Sequence, residues 1–445
     1  MSSETKTSHP IPYGYNPMNR LFPSYIDNRH MCTIGPTRSG KDATVIAQAA
    51  MRATNSLVVM DPKGQIAAIT SAARRAMGQD VFVLNPFGLH RSAPWHLPRH
   101  RFNPLSQLDL NDPNVVSKGR SISQALIVTE SRDPYFDDTG RDFLSTVNFQ
   151  VVAEHGKAGT LAHSRKMITD IAARGKDAAR ILARMKHSPY PFISQPIGRF
   201  IDSEARDIAA AINTAITQTA FLDDVAFVHP EHGALTGNDI DLSQLKKKPT
   251  TVYLILPGDL MESYARFLRL IITNLINQII SEPGGHPVLM ILNEFARLEN
   301  LPAVTSALGF AAGFNLQLWP FLQDLGQLQH VYGKEWSTLL ANCGMVQFFT
   351  PSDLETAEYI QRRGGMRTGE SRSRSYGGTF IRRPQGETRN EMRIPLLPIE
   401  RIMSLPGDQS IVFFAGRHEP LLAGRRPYWT IPRLKGFYAP DPFHM

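Results

Sequence analysis

Apolar residues along this chain follow two rhythms, and the change between them divides it. Residues 30–34, 56–60 and 81–84 are short apolar runs almost free of charge, the form of strands buried on both faces. Between them, residues 43–51 and 67–77 are helical by composition. Strands alternating with helices predict a parallel sheet covered on both sides, with ligands gathering at the carboxyl ends of its strands. From residue 113 to 227 the rhythm becomes helical: apolar positions recur at helical spacing over 116–128, 135–154, 164–185 and 199–221, and strand-like runs nearly vanish. The strand rhythm returns at 250–256, followed by a long amphipathic helix at 260–281. Further strands are predicted at 287–292, 315–322, 345–350 and 410–416, with a helix over 352–363 opened by Ser352 or Asp353. The expected organisation is an arm over 1–30, an α/β domain over 31–112 and 228–445, and an all-alpha domain over 113–227 inserted into it.

The chemistry sits where this pattern turns polar. Gly35, Gly40 and Lys41 fit G-x-x-x-x-G-K between the first strand and the first helix. Glycines let successive backbone N–H groups point at an anion, and the following helix turns its positive end to the same place. Gly35, Pro36, Thr37, Arg38, Ser39, Gly40, Lys41, Asp42 and Ala43 are therefore the expected nucleotide-binding residues, with Lys41 on the β/γ-phosphates. One residue departs from the pattern: Asp42 occupies the place of the usual metal-binding hydroxyl. The run at 287–292 delivers Asn293 and Glu294, a Walker B form in which Asn293 replaces the usual Asp and Glu294 is placed to polarise an attacking water. The two departures read as one exchange, with Asp42 binding Mg²⁺ and Asn293 as its neutral partner, or equally as decay of the site, since a carboxylate beside a triphosphate is repulsive. The strand at 315–322 ends at Gln323, which is either a γ-phosphate sensor or a cap of the next helix.

At 445 residues, 42% hydrophobic and 20% charged, the chain has the composition of a globular protein of two or so domains. Its net charge of +8 favours an anionic partner, such as nucleic acid, nucleotide or a membrane surface. Cys32 and Cys343 are too few for a disulfide framework or a zinc site, and His90, His96 and His100 lack metal-ligand spacing. The most apolar runs, 251–256 and 268–280, are shorter than the ~20 residues of a bilayer crossing, and residues 1–17 lack the apolar core of a signal peptide. In the helical stretch, Arg165, Lys166, Arg174, Lys176, Arg180, Arg184 and Lys186 form a basic series that is either a nucleic-acid contact or a solvated face balanced by Asp170 and Asp177. Residues 364–393, rich in Arg, Gly and Ser, are expected as a flexible hairpin or loop.

Taken together, GPTRSGKD, VVMDPKGQ, FVLNPFG, RFNPLSQL, MILNEFARLENLPAV, LWPFLQDLGQLQHVYGKEWSTLLANCGMVQFF, ETAEYIQRRGGMRT and the closing IPLLPIERIMSLPGDQSIVFFAGRHEPLLA run in order from about residue 31 to 432. Their combination resembles the TraG/TraD-type coupling proteins of type IV secretion and conjugation, relatives of the FtsK/HerA translocases. The resemblance implies a RecA-like P-loop domain with an inserted all-alpha domain, ATP and Mg²⁺ as cofactors, and a homo-hexameric ring. That ring would pass DNA, a relaxase–DNA complex or protein effectors to membrane components of a secretion channel. It further implies that Lys41 binds phosphate, Glu294 activates water, Gln323 senses the γ-phosphate, and Arg363 or Arg367 acts across the subunit boundary. Asp61-Pro62-Lys63-Gly64 matches the family's D-P-K-G turn without revealing its task. Typical members begin with membrane helices; the absence of such a segment here leads to the expectation of a cytoplasmic protein, peripheral at the inner membrane through partners. Two other readings stand beside this one: a non-hydrolysing adaptor that keeps the fold, and a cytosolic DNA translocase unconnected to secretion.

Overall fold

The computed structural model describes residues 9–16, 21–129, 134–377 and 383–444. Its centre is a nine-stranded sheet. The strands, numbered along the chain, are β1 (His30–Ile34), β2 (Ser56–Asp61), β3 (Asp80–Leu84), β4 (Thr250–Ile255), β5 (Val288–Leu292), β6 (Leu316–Leu322), β7 (Cys343–Phe348), β8 (Gln409–Phe414) and β9 (Leu421–Gly424). They lie in the order β9-β8-β7-β1-β6-β5-β2-β4-β3. β1 to β7 run parallel, and β8 and β9 add an antiparallel edge.

The strands are apolar throughout because both faces are covered. Side chains alternate across the pleat, so Leu57 and Val59 join Leu289, Ile291, Trp319 and Phe321 in one core, under the helices that follow β1 and β2. Val58 and Met60 join Met290, Leu292 and Leu318 in the other. That second core continues without a break through Phe267 and Leu270 of the Met261–Ser281 helix into Ile122, Phe143, Val147 and Ile168 of the helical layer.

That layer occupies the interval between β3 and β4, where helices run from Val115–Leu126 to Val225–Val228. Two expected helices are each divided. The 164–185 segment is split into Leu161–Ala172 and Lys176–Lys186 at Arg174, whose φ is 53°, and Gly175. The segment expected at 199–221 is preceded by a helix at Pro191–Asp202, which starts on a proline at its first position and contains Pro196, and continues as Ala205–Gln218. Proline costs nothing at the first helical position, where its missing N–H has no partner to lose. Apolar periodicity is blind to both breaks because the flanking segments stay in phase.

The Arg-rich stretch expected as a flexible hairpin or loop pairs as a two-stranded antiparallel ribbon, Met366–Gly377 against Arg383–Pro395; residues 378–382 lie outside the described residues. The described part of the N-terminal arm wraps rather than dangles. Ile11–Pro12 pairs with Ser24–Tyr25, Tyr13 and Tyr15 are buried, and the Tyr15 N–H donates to the Gly424 carbonyl at 3.0 Å. Among the described residues no helix is long and apolar enough to cross a membrane.

Candidate nucleotide site

Loop 35–41 leaves β1 at the carboxyl edge of the sheet. The Gly35 N–H donates to the Leu322 carbonyl at the end of β6 (3.0 Å), which hangs the start of the loop on the neighbouring strand. Only glycine fits there, since a Cβ on Gly35 would stand 2.8 Å from the Cβ of Phe349. The loop closes through Thr44, whose N–H and hydroxyl both donate to the Gly40 carbonyl (2.9 and 2.7 Å). The first turn of the helix, Asp42–Ile46, is π-helical before the α-helix Ala47–Arg52 begins, a widening often found at functional sites. Lys41 is buried and donates to the carbonyls of Gly35 and, at 3.3 Å, Pro36. Burial lowers its pKa, against the opposing pull of Glu294 and Asp42.

Facing this loop are the ends of β6 and β5. The Asn293 amide donates to an Asp42 carboxylate oxygen at 2.9 Å, while its own Oδ1 is buried with no hydrogen-bond partner. Glu294, with φ 56° and ψ 42°, turns the chain sharply after β5. A left-handed conformation in a non-glycine residue is strained, and such strain gathers at functional sites. The Gln323 amide donates to the Glu294 carboxylate at 2.9 Å. Asp324, not Gln323, caps the following helix, accepting from the Gln327 N–H at 2.8 Å. The structure thus brings Lys41, Asp42, Asn293, Glu294 and Gln323 to one stretch of edge formed by the adjacent strands β1, β6 and β5.

β2 lies next in line, and its D-P-K-G turn joins the same group. The fully buried Asp61 carboxylate accepts from the Ala67 N–H at 2.8 Å and from the Lys63 N–H at 3.4 Å. Burial, helped by the nearby Asp42 charge, pushes its pKa up to about 7. The turn projects Lys63, whose ammonium stands 3.9 Å from the second Asp42 oxygen. Sequence reading assigned Lys63 no role.

It also missed Arg425, just beyond β9. The residue is 3% exposed, and its guanidinium donates to the carbonyls of Ser39 (3.0 Å), Gly407 (2.6 Å) and Gln409 (2.9 Å) while lying 3.5 Å from the centre of the Phe349 ring. Burial lowers its pKa to about 10. No local pattern marks an arginine that braces a loop so far upstream. Arg363, one of the two arginines expected to act in trans, donates to the Tyr359 hydroxyl at 3.2 Å and packs on Phe413 of β8. Arg367 is exposed at the root of the ribbon.

Among the described residues no group of three or more His, Cys, Asp or Glu side chains is gathered to hold a metal. What the edge offers is sparse and made of oxygen, the Asp42 carboxylate beside the unpartnered Asn293 Oδ1. That set fits Mg²⁺, which keeps several waters and takes the rest of its shell from one or two carboxylates and phosphate oxygens.

A parallel sheet that carries a G-x-x-x-x-G-K loop on one strand, a carboxylate two strands away and a polar side chain between them is a P-loop nucleotide-binding fold of the RecA-like kind, here with a helical domain inserted. The chain belongs to the family described as Type IV secretory system Conjugative DNA transfer, whose model matches residues 6–440. Protein VirD4 of Agrobacterium fabrum is 26% identical over 435 residues, covering 94% of this chain and 62% of that protein. The type IV secretion system-coupling protein VirD4 of Bartonella henselae is 25% identical over 417 residues, covering 90% and 63%. The chain therefore spans a little under two thirds of the length of these relatives. Among solved structures, the unbound bacterial conjugative coupling protein TrwBdeltaN70 superposes with a TM-score of 0.64 at 16% identity, over 90% of this chain and 85% of that one. TrwB in complex with ADP and Mg²⁺ does so with 0.62 at 15% identity, over 93% and 89%. At such identities the likeness concerns the fold.

Proposed function

We propose that this chain is an ATP-binding coupling protein of type IV secretion or conjugation that recruits DNA–protein or protein substrates and helps to translocate them. The observation that carries the reading is the pair of contacts across three adjacent strand ends, Asn293 to Asp42 and Gln323 to Glu294. Lys41 exchanges its loop carbonyls for the phosphates. Asp42 and Asn293 hold Mg²⁺, which supplies charge neutralisation and a template for the phosphate oxygens. Glu294 accepts the proton of the attacking water, and Gln323 holds the Glu294 carboxylate and reports on the γ-phosphate. The TrwB structures with ADP and Mg²⁺ and with an ATP analogue support the cofactors.

The net charge of +8 suits a DNA partner. A groove of about 380 Å³ between the helices Pro134–His155 and Pro191–Asp202, lined by Tyr135, Phe143, Ile197 and Phe200, offers a surface for a protein substrate. Copies of the chain assemble as a ring on the cytoplasmic side of the inner membrane, bound to membrane components of the secretion channel. An arginine from a neighbouring copy, for which the exposed Arg367 is better placed than the packed Arg363, completes the site.

The test is steady-state hydrolysis beside binding of a non-hydrolysable ATP analogue. Glu294→Gln lowers turnover roughly a hundredfold or more and leaves analogue binding intact, whereas Lys41→Ala loses binding. Equal turnover in wild type and Glu294→Gln, with binding retained, overturns hydrolysis in favour of an adaptor that only binds nucleotide. The carboxylate at Asp42 is the observation that favours this second reading.

A further inference from the structure

We propose that Lys63 is the counter-cation of the displaced carboxylate: it neutralises Asp42 while no metal is bound and is released when Mg²⁺ takes its place. The inference rests on the nucleotide reading above and gives the D-P-K-G turn its task. A loop hydroxyl is neutral, whereas Asp42 adds a negative charge where the most highly charged part of the ligand must sit. The charged and titratable groups facing it are Lys63, Lys41, Glu294 and the buried Asp61. Lys41 is occupied by the Gly35 and Pro36 carbonyls, and Glu294 repels, so Lys63 is the cation left to serve Asp42.

The way Lys63 is mounted suits an arm that moves on a fixed base. Its N–H meets the Asp61 carboxylate and its carbonyl accepts from the His90 ring at 2.9 Å. Gly64, at φ 64°, closes the turn so tightly that a Cβ there would stand 3.0 Å from His90. The side chain beyond this anchored backbone is 57% exposed and stands 3.9 Å from Asp42, near enough to neutralise it and too far for a direct hydrogen bond. Its other neighbour is the exposed Phe443 ring, 6.0 Å away, a weak cation–π contact that does not pin the ammonium. A divalent ion outcompetes a single ammonium at Asp42 and releases the exposed lysine to solvent.

The test is a thermodynamic cycle on the dissociation constant of a fluorescent non-hydrolysable ATP analogue, measured in Mg²⁺ and in EDTA. Without Lys63 only the metal can offset Asp42, so in Lys63→Ala the ratio of the EDTA to the Mg²⁺ constant rises about tenfold, the effect of one charge at a part-exposed site. Lys63→Arg restores the wild-type ratio, which also excludes a folding defect. In an Asp42→Ser background the same alanine substitution leaves the ratio within about twofold, because the charge it served is gone. An unchanged ratio in Lys63→Ala, or an equal rise in the Asp42→Ser background, overturns the proposal while leaving nucleotide binding intact. Absence of analogue binding by the wild type overturns the nucleotide reading beneath it.

Discussion

The carboxyl edge of the sheet and the helical layer both carry many cations, and they hold them in opposite ways. In the helical layer the basic residues face carboxylates at the surface: Arg165 with Asp223, Lys166 with Asp170, Arg180 with Asp177 and Arg184 with Glu154. At the sheet edge Lys41 and Arg425 are buried and are held by backbone carbonyls. A surface pair is screened and exchanges readily with water, so it contributes little. A buried cation whose hydrogen bonds go to carbonyls rather than to a paired carboxylate stays available to an anion brought into the same place. The carboxylates divide in the same way. Arg165 holds the exposed Asp223 below its ordinary pKa, whereas burial raises Asp61 to about 7.

The largest expected effect tests that division through pH. With a folded value near 7 against an ordinary 3.8, native Asp61 keeps a proton that the unfolded chain has lost. Stability therefore falls as pH rises from about 4 to about 7 and is level above that, by at most about 4 kcal/mol. Asp61→Asn keeps an oxygen for the Ala67 N–H and removes this fall. His30, which burial lowers to about 4, tilts stability the other way, being lost as pH drops from 6.5 through 4. The difference between wild type and Asp61→Asn in urea unfolding at pH 4.5 and 7.5 isolates the carboxyl group. No difference in slope would mean that Asp61 is ionised in the fold, and the contrast with Asp223 would vanish.

Next in size is Arg425→Met, which strands the Ser39, Gly407 and Gln409 carbonyls and should cost about 3 kcal/mol of stability. It should also weaken analogue binding, because Ser39 belongs to the phosphate loop. The smallest effect sharpens the contrast: Arg184→Ala, at a surface pair of 3.0 Å, should change unfolding by less than about 0.5 kcal/mol. Comparable losses in Arg425→Met and Arg184→Ala would show that the two regions do not differ in the way described.

Much of this arrangement is already visible in the chain's local patterns. Short apolar runs read as strands because burial on both faces removes every polar position, and Gly35, Gly40 and Lys41 read as a phosphate loop because the backbone path itself demands those residues. Asn293 and Gln323 are legible because each directly follows such a run, and Glu294 because it comes one residue later. The break at Arg174 and the helix running through Pro196 escaped the pattern, since helical phase survives an interruption. Arg425 escaped for a different reason: its partner Ser39 lies 386 residues away, and no periodicity spans that interval.

What the amino-acid order determined alone was therefore the set of elements and the chemistry at their ends. The tertiary structure decided which ends are neighbours. The order β1-β6-β5-β2 places Lys41, Gln323, Glu294 and Lys63 side by side, though they come from segments far apart in the chain. Local sequence codes for the period of an element and the geometry of a turn, whereas strand order is settled by how whole helices and faces pack over one another, and that is a property of the assembled core.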